Sequence, residues 1–222
     1  AFLKRMLEKY QGTRLGRQEL DGDILDDNPN ALWSRPLIEE HRVAISPQLD
    51  RIVVGVDPAT TSKKKSNDTG IVVVGVNTKT FDVKLGKKVA HFYVLGDYTI
   101  HGTPREWAME VVSAYSKHSA DRVVGEVNNG GELVESNIRT VAPDISYSDV
   151  HASRGKAIRA EPVSSLYEQG RVHHVGSYPL LEDQMCDWVP GESESPDRVD
   201  ALVWAITKLT AEKTVDINIS SL

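Results

Sequence analysis

At 222 residues, with 40% hydrophobic residues and a formal net charge of −6, the chain has room for one sizeable domain and an appended segment. That charge argues against a general electrostatic attraction to nucleic acid, while a local basic patch can still coexist with an acidic remainder. The single cysteine, Cys186, excludes an internal disulfide and a cysteine zinc cluster, and no apolar run approaches the ~18 residues of a membrane span.

Residues 1–48 read as a linker or docking arm. Phe2-Leu-Lys-Arg-Met-Leu-Glu-Lys-Tyr10 suits a short helix stopped by Gly12, and it lacks the layout of a secretory signal. A reducing, cytosolic setting is therefore expected, and Asn67-Asp-Thr69 and Asn218-Ile-Ser220 are chance glycosylation matches. Asp26-Asp-Asn-Pro-Asn30 carries turn chemistry, and Pro36 interrupts the mixed segment Leu32 to His41.

From Arg51 the pattern becomes regular. Ile52 to Val56 reads as a short apolar strand ended by Asp57, Gly70 to Asn77 as a second, and Lys88 to Thr99 as a third, together an antiparallel meander. Thr103 followed by Pro104 predicts the cap and first position of a helix reaching about His118, with Trp107, Val111, Val112 and Tyr115 inward. Arg122 to Gly125 is again a strand, ended by Glu126. A helix is predicted over 132–141, a strand over 145–150, a helix over 156–169 closed by Gly170, a strand over 172–175 and a helix over 180–188. After the polar loop 190–196, a last helix should run from Asp197 to about Glu212, leaving 215–222 as a tail. Three consecutive strands followed by alternating helices and strands predict an α/β mixed sheet, antiparallel then parallel, with helices on both faces over 49–214.

Acidic residues stand where apolar elements usually exclude them. Asp57 ends Arg51-Ile-Val-Val-Gly-Val-Asp57 and Glu126 ends Asp121-Arg-Val-Val-Gly-Glu126, the strand ends at which α/β sheets place ligands. Asp197, Asp200 and Trp204 share one helical face; burying it would desolvate Asp200 beside its acidic neighbours. Each acid alone has a bland reading: a turn at Asp57-Pro58, a loop carboxylate at Glu126, a helix cap at Asp197. Together they form an oxygen-rich set suited to Mg²⁺ or Mn²⁺. Two such ions about 4 Å apart can cut a phosphodiester without a protein nucleophile.

Three segments carry a family likeness. Asp-Pro-Ala-Thr…Asn-Asp-Thr-Gly-Ile-Val-Val-Val-Gly (57–75), Arg-Val-Val-Gly-Glu-Val-Asn-Asn-Gly-Gly (122–131) and Ser-Pro-Asp-Arg-Val-Asp-Ala-Leu-Val-Trp-Ala (195–205) resemble the nuclease domain of tailed-bacteriophage terminase large subunits. The stretch Lys156 to His174 resembles that family too, and Tyr10 to Gly22 resembles the segment joining its motor to its nuclease. The resemblance implies a ribonuclease H-like fold that cuts double-stranded, concatemeric viral DNA during packaging in the host cytoplasm. It implies metal ligation by Asp57, Glu126 and Asp200, with Asp197 a fourth ligand or water-positioning group. The implied partners are an ATPase motor domain, a small terminase subunit and a portal protein, the isolated domain being monomeric. The motor's phosphate-binding loop has no match here: around Gly155-Lys156, Val150 stands where its first glycine belongs and Ala157 where it has Ser/Thr. The chain is thus expected to be a piece of a longer motor.

Lys63, Lys64 and Lys65 follow Asp57 and are either a solvated loop tip or phosphate contacts that position DNA. Arg154, Lys156 and Arg159 open a helix against the macrodipole, which favours a DNA-contact role. His173 and His174 point to opposite faces of a strand, so a shared ion is not expected. Asp68 is a turn residue or an outer carboxylate. Trp107, Trp188 and Trp204 read as core. Two other readings stay open: a junction-resolvase or transposase-like nuclease of the same fold, and a non-catalytic docking module.

Overall fold

The computed structural model describes residues 28–58, 68–82, 86–126, 131–151, 155–193 and 195–219. In chain order the elements are α1 (Arg35–Glu40), β1 (Arg51–Asp57), β2 (Asp68–Asp82), β3 (Lys87–Asp97), β4 (Ile100–His101), α2 (Pro104–Lys117), β5 (Arg122–Glu126), α3 (Gly131–Val141), β6 (Tyr147–Val150), α4 (Lys156–Glu168), β7 (Val172–His174), α5 (Pro179–Asp187) and α6 (Asp197–Ile219). The strands described form one seven-stranded sheet in the order β6-β5-β1-β2-β3-β7, with β4 paired to β2. β1, β2 and β3 are the expected antiparallel meander, and β5, β6 and β7 join it in parallel.

Alternation along the strands divides the interior in two. Val54, Val56, Ile71, Val73 and Val123 face α2 and α3, where Trp107, Val111 and Ile138 complete one core, with Val112 and Tyr115 half-buried at its margin. Val53, Val72, Val74, Val76 and Val124 face α4, α5 and α6 in a second, larger core. Helices therefore cover both faces. α2 begins at a full capping box: the Thr103 hydroxyl accepts from the Glu106 backbone N–H while the Glu106 carboxylate accepts from Thr103 N–H at 2.7 Å.

Two expectations change. The last helix does not stop near Glu212 but continues to Ile219, across much of the predicted tail. No glycine or proline interrupts the chain from Ala201 to Ile219, so no helix-breaking residue stands at Glu212 to end it. The described part of the expected arm, 28–48, is packed into the domain. Trp33, 1% exposed, stacks on Trp188 and meets Tyr167 edge-on. Arg35 and Arg42 reach the fully buried Glu182, which also accepts from His174 at 2.9 Å. A short apolar segment flanked by arginines conceals this packing, because its partners lie more than 120 residues further on. Residues 1–27 lie outside the described residues, as does the helix expected there.

Candidate metal centre

The sheet brings the two strand-end acids side by side. In the parallel β1–β5 ladder Val56 pairs with Gly125, so Asp57 and Glu126 each stand one step beyond the last paired residues. Parity puts Asp57 with Val53 and Gly55, and Glu126 with Val124, on the face that α6 covers.

Two glycines set how closely α6 lies there. A Cβ at Gly55 would fall 2.1 Å from the Ala201 carbonyl oxygen, and one at Gly70 would fall 2.0 Å from that of Asp197. Gly70 is the register partner of Asp57. The first turn of α6 can rest directly on β1 and β2 only because both positions lack a side chain. Arg198 secures the same turn, donating from Nε to Asp97 Oδ2 at 2.9 Å and standing 3.7 Å from Asp68 Oδ2. Asp68 is accordingly a strand residue held by Arg198 and by His101 at 3.1 Å, rather than a turn.

This packing delivers Asp200 to Asp57. Asp57 is 7% and Asp200 3% exposed. Burial, then the charge of Asp200, then those of Glu126 and Asp197, push the Asp57 carboxyl well above its ordinary range, and Lys156 opposes them. Three of the predicted acids therefore bear on the fourth, Asp57. Asp197, half-exposed, opens α6 at the rim.

The first turn of α4 supplies the counter-charge. The Lys156 ammonium donates to Asp200 Oδ2. Burial pulls the Lys156 pKa down, but Asp57, Asp200 and Glu126 outweigh it and leave it raised. Arg159 Nη1 lies 3.7 Å from Glu126 Oε2, and its guanidinium covers the Trp204 ring at 4.2 Å. The predicted DNA contacts Lys156 and Arg159 are thus turned toward the acids, while Lys63, Lys64, Lys65 and Arg154 lie outside the described residues. His173 and His174 enter separate networks: His173 meets His91 at 2.8 Å, whereas buried His174 joins Tyr167 and Glu182.

The donor set, all carboxylate oxygen, suits a hard divalent cation. No three acids among the described residues close on a single point, and the Lys156 ammonium stands among them as their cation. The buried Asp57 carboxyl, its proton affinity raised, with Asp200 buried beside it, nonetheless fits such an ion. Two participants escaped the sequence reading. Trp204 donates its indole N–H to Glu126 Oε2 at 3.0 Å, and Gly55 admits the helix. The second left a trace, since an isolated glycine inside an apolar strand often marks a close backbone approach.

The family model described as terminase RNaseH-like domain matches residues 54–209. No curated protein matches the chain by sequence. Among solved structures, the large terminase nuclease from thermophilic phage G20c is similar with 12% identity and a TM-score of 0.55, covering 80% of this chain and 98% of that one. The nuclease domain of the large terminase subunit of bacterial virus Sf6 follows with 11%, 0.56, 79% and 98%. The HK97 bacteriophage large terminase gives 12% and 0.56, over 79% of this chain and 43% of its own. The G20c nuclease has been solved with bound magnesium, cobalt and zinc, and an Sf6 nuclease mutant with manganese. At such identities these likenesses speak for the fold, which is ribonuclease H-like.

Proposed function

The chain belongs to the terminase RNaseH-like nuclease domain family, and from that premise we propose that it is a divalent-metal-dependent endonuclease cutting double-stranded, concatemeric viral DNA during genome packaging. The single observation that carries the reading is the meeting of Asp57, Glu126 and the first turn of α6 on one face of the sheet, with Asp57 buried and short of positive charge. The metals in the similar nucleases support Mg²⁺ or Mn²⁺ as the cofactor.

Asp57, Asp200 and Glu126 would hold the cation. Such an ion lowers the pKa of bound water and stabilises charge on a phosphodiester. Asp197, at the half-exposed rim, would orient the attacking water and accept its proton. Lys156, bound to Asp200 in the metal-free protein, would be the group to pair with a backbone phosphate when its acids hold a cation. Lys63, Lys64, Lys65 and Arg154 would extend that non-specific grip. On this reading the arm, an ATPase motor, a small subunit and a portal supply the remaining hold on DNA in the host cytoplasm.

The test is cleavage of supercoiled plasmid, linear duplex and a four-way junction with Mn²⁺, Mg²⁺ or EDTA. Wild type should nick and linearise duplex DNA only with metal, and folded Asp57→Asn and Asp200→Asn proteins should not. Cleavage by those variants at the wild-type rate sinks the site, preference for the junction favours a resolvase, and inactive wild type with no Mn²⁺ effect on melting favours a docking module.

A further inference from the structure

Glu126 is aimed. Its Oε2 accepts a 3.0 Å hydrogen bond from the indole N–H of Trp204. Trp204 is 4% exposed, and the Arg159 guanidinium lies over its ring, 4.2 Å from the centroid, with Nη1 3.7 Å from that same carboxylate oxygen. An indole N–H can only donate, and leaving it buried without an acceptor carries the full desolvation penalty. The pairing therefore satisfies the ring and restricts the carboxylate at once. Trp204 lies one helical turn beyond Asp200, on the same face of α6, so the group that restrains Glu126 is carried by the same helix as the acid it must cooperate with.

We propose that Trp204 is a positioning residue of the acid site: its N–H fixes one oxygen of Glu126 and with it the orientation of that carboxylate beside Asp57, and its ring is packed under Arg159. The inference rests on reading the acids as a divalent-cation site. It gives the Val-Trp-Ala step of the last helix a role that ring packing alone does not require. Phenylalanine would fill much of the same volume and still lie under Arg159, yet could not donate.

The experiment measures Mn²⁺ affinity without DNA, by titration calorimetry, for wild type, Trp204→Phe, Glu126→Ala and the double variant, with melting in EDTA to establish folding. Losing a hydrogen bond that orients a metal ligand should weaken Mn²⁺ binding about tenfold. Because Trp204 acts through Glu126, Trp204→Phe should cost little more once Glu126 is alanine. If Trp204→Phe does not melt cooperatively, 3-benzothienylalanine at position 204 keeps the ring shape, puts sulfur in place of the N–H and carries the same expectation. Unchanged affinity in the donor-less protein, or an equal loss in the Glu126→Ala background, overturns the inference while leaving the cation site standing. Folded wild type that binds no Mn²⁺ overturns both.

Discussion

The Lys156 ammonium is bound to Asp200, joining the first turn of α4 to the first turn of α6 across the face that carries Asp57. The helix that could grip DNA is thus fastened to the acids it would serve, through a side chain still 44% exposed on the lysine side.

Replacing Lys156 by alanine should lower the melting temperature without metal, since Asp57 and Asp200 then face each other uncompensated. A partly exposed pair contributes up to about 1 kcal/mol, or roughly 2–4 °C for a domain of this size. The rise produced by Mn²⁺ should become larger than in wild type, because the cation no longer displaces an ammonium. Thermal melts with EDTA and with Mn²⁺ read both; a smaller Mn²⁺ response in the variant contradicts the competition.

Asp57→Asn should stabilise the metal-free protein while abolishing cleavage. Burial and Asp200 raise the Asp57 carboxyl, so its contribution to stability is fully present below its unfolded pKa and is lost as pH rises through the folded one. At neutral pH the asparagine variant should melt higher by about 1–2 kcal/mol equivalent, and near pH 4 the two proteins should converge. A variant that melts lower than wild type at pH 7.5 in EDTA speaks against the repulsion.

Gly55→Ala and Gly70→Ala should each push the first turn of α6 off the sheet, because the new Cβ meets a helix carbonyl near 2 Å. Overpacking of this kind costs about 1–3 kcal/mol or more, and Mn²⁺ affinity should fall with it as Asp200 moves from Asp57. Gly155→Ala, where a Cβ meets nothing within 4 Å, serves as the control. Melts and Mn²⁺ titrations of the three proteins separate the outcomes.

Glu182 predicts an acid limb. Burial alone would raise its carboxyl, but hydrogen bonds from His174 and Arg42 outweigh it and hold the pKa at about 2. A depressed carboxyl contributes stability that is present above its unfolded pKa and fades as pH falls through the folded one. Wild-type melting temperature should therefore drop as pH goes from about 4.5 to about 2. Glu182→Gln should melt several degrees lower at neutral pH and show a shallower slope across that window. Parallel slopes would exclude Glu182 as the source.

What the sequence made visible follows local physics. Apolar strands alternate with polar turns, so β1, β5 and their terminal acids could be read directly, and Thr103-Pro104 announced a cap that formed. The face shared by Asp197, Asp200 and Trp204 was legible from helical spacing. Long-range pairings were not: Arg35 and Arg42 with Glu182, or Arg198 with Asp97, carry no mark in a single sequence. Trp204 was read as core because the periodicity that buries its ring says nothing about where its N–H points. Lys156 and Arg159 were read as DNA contacts because their charge, not their acidic partners, is the local signal.

The Trp33 contacts have a mechanical consequence. Leu32 accepts a hydrogen bond from Ser164 at 2.9 Å, and Trp33 lies against Tyr167; both partners belong to α4, whose opening turn bears Lys156 and Arg159. Tension drawn along the chain ahead of Leu32 is therefore delivered not to a slack tether but to the rod that ends among the acids.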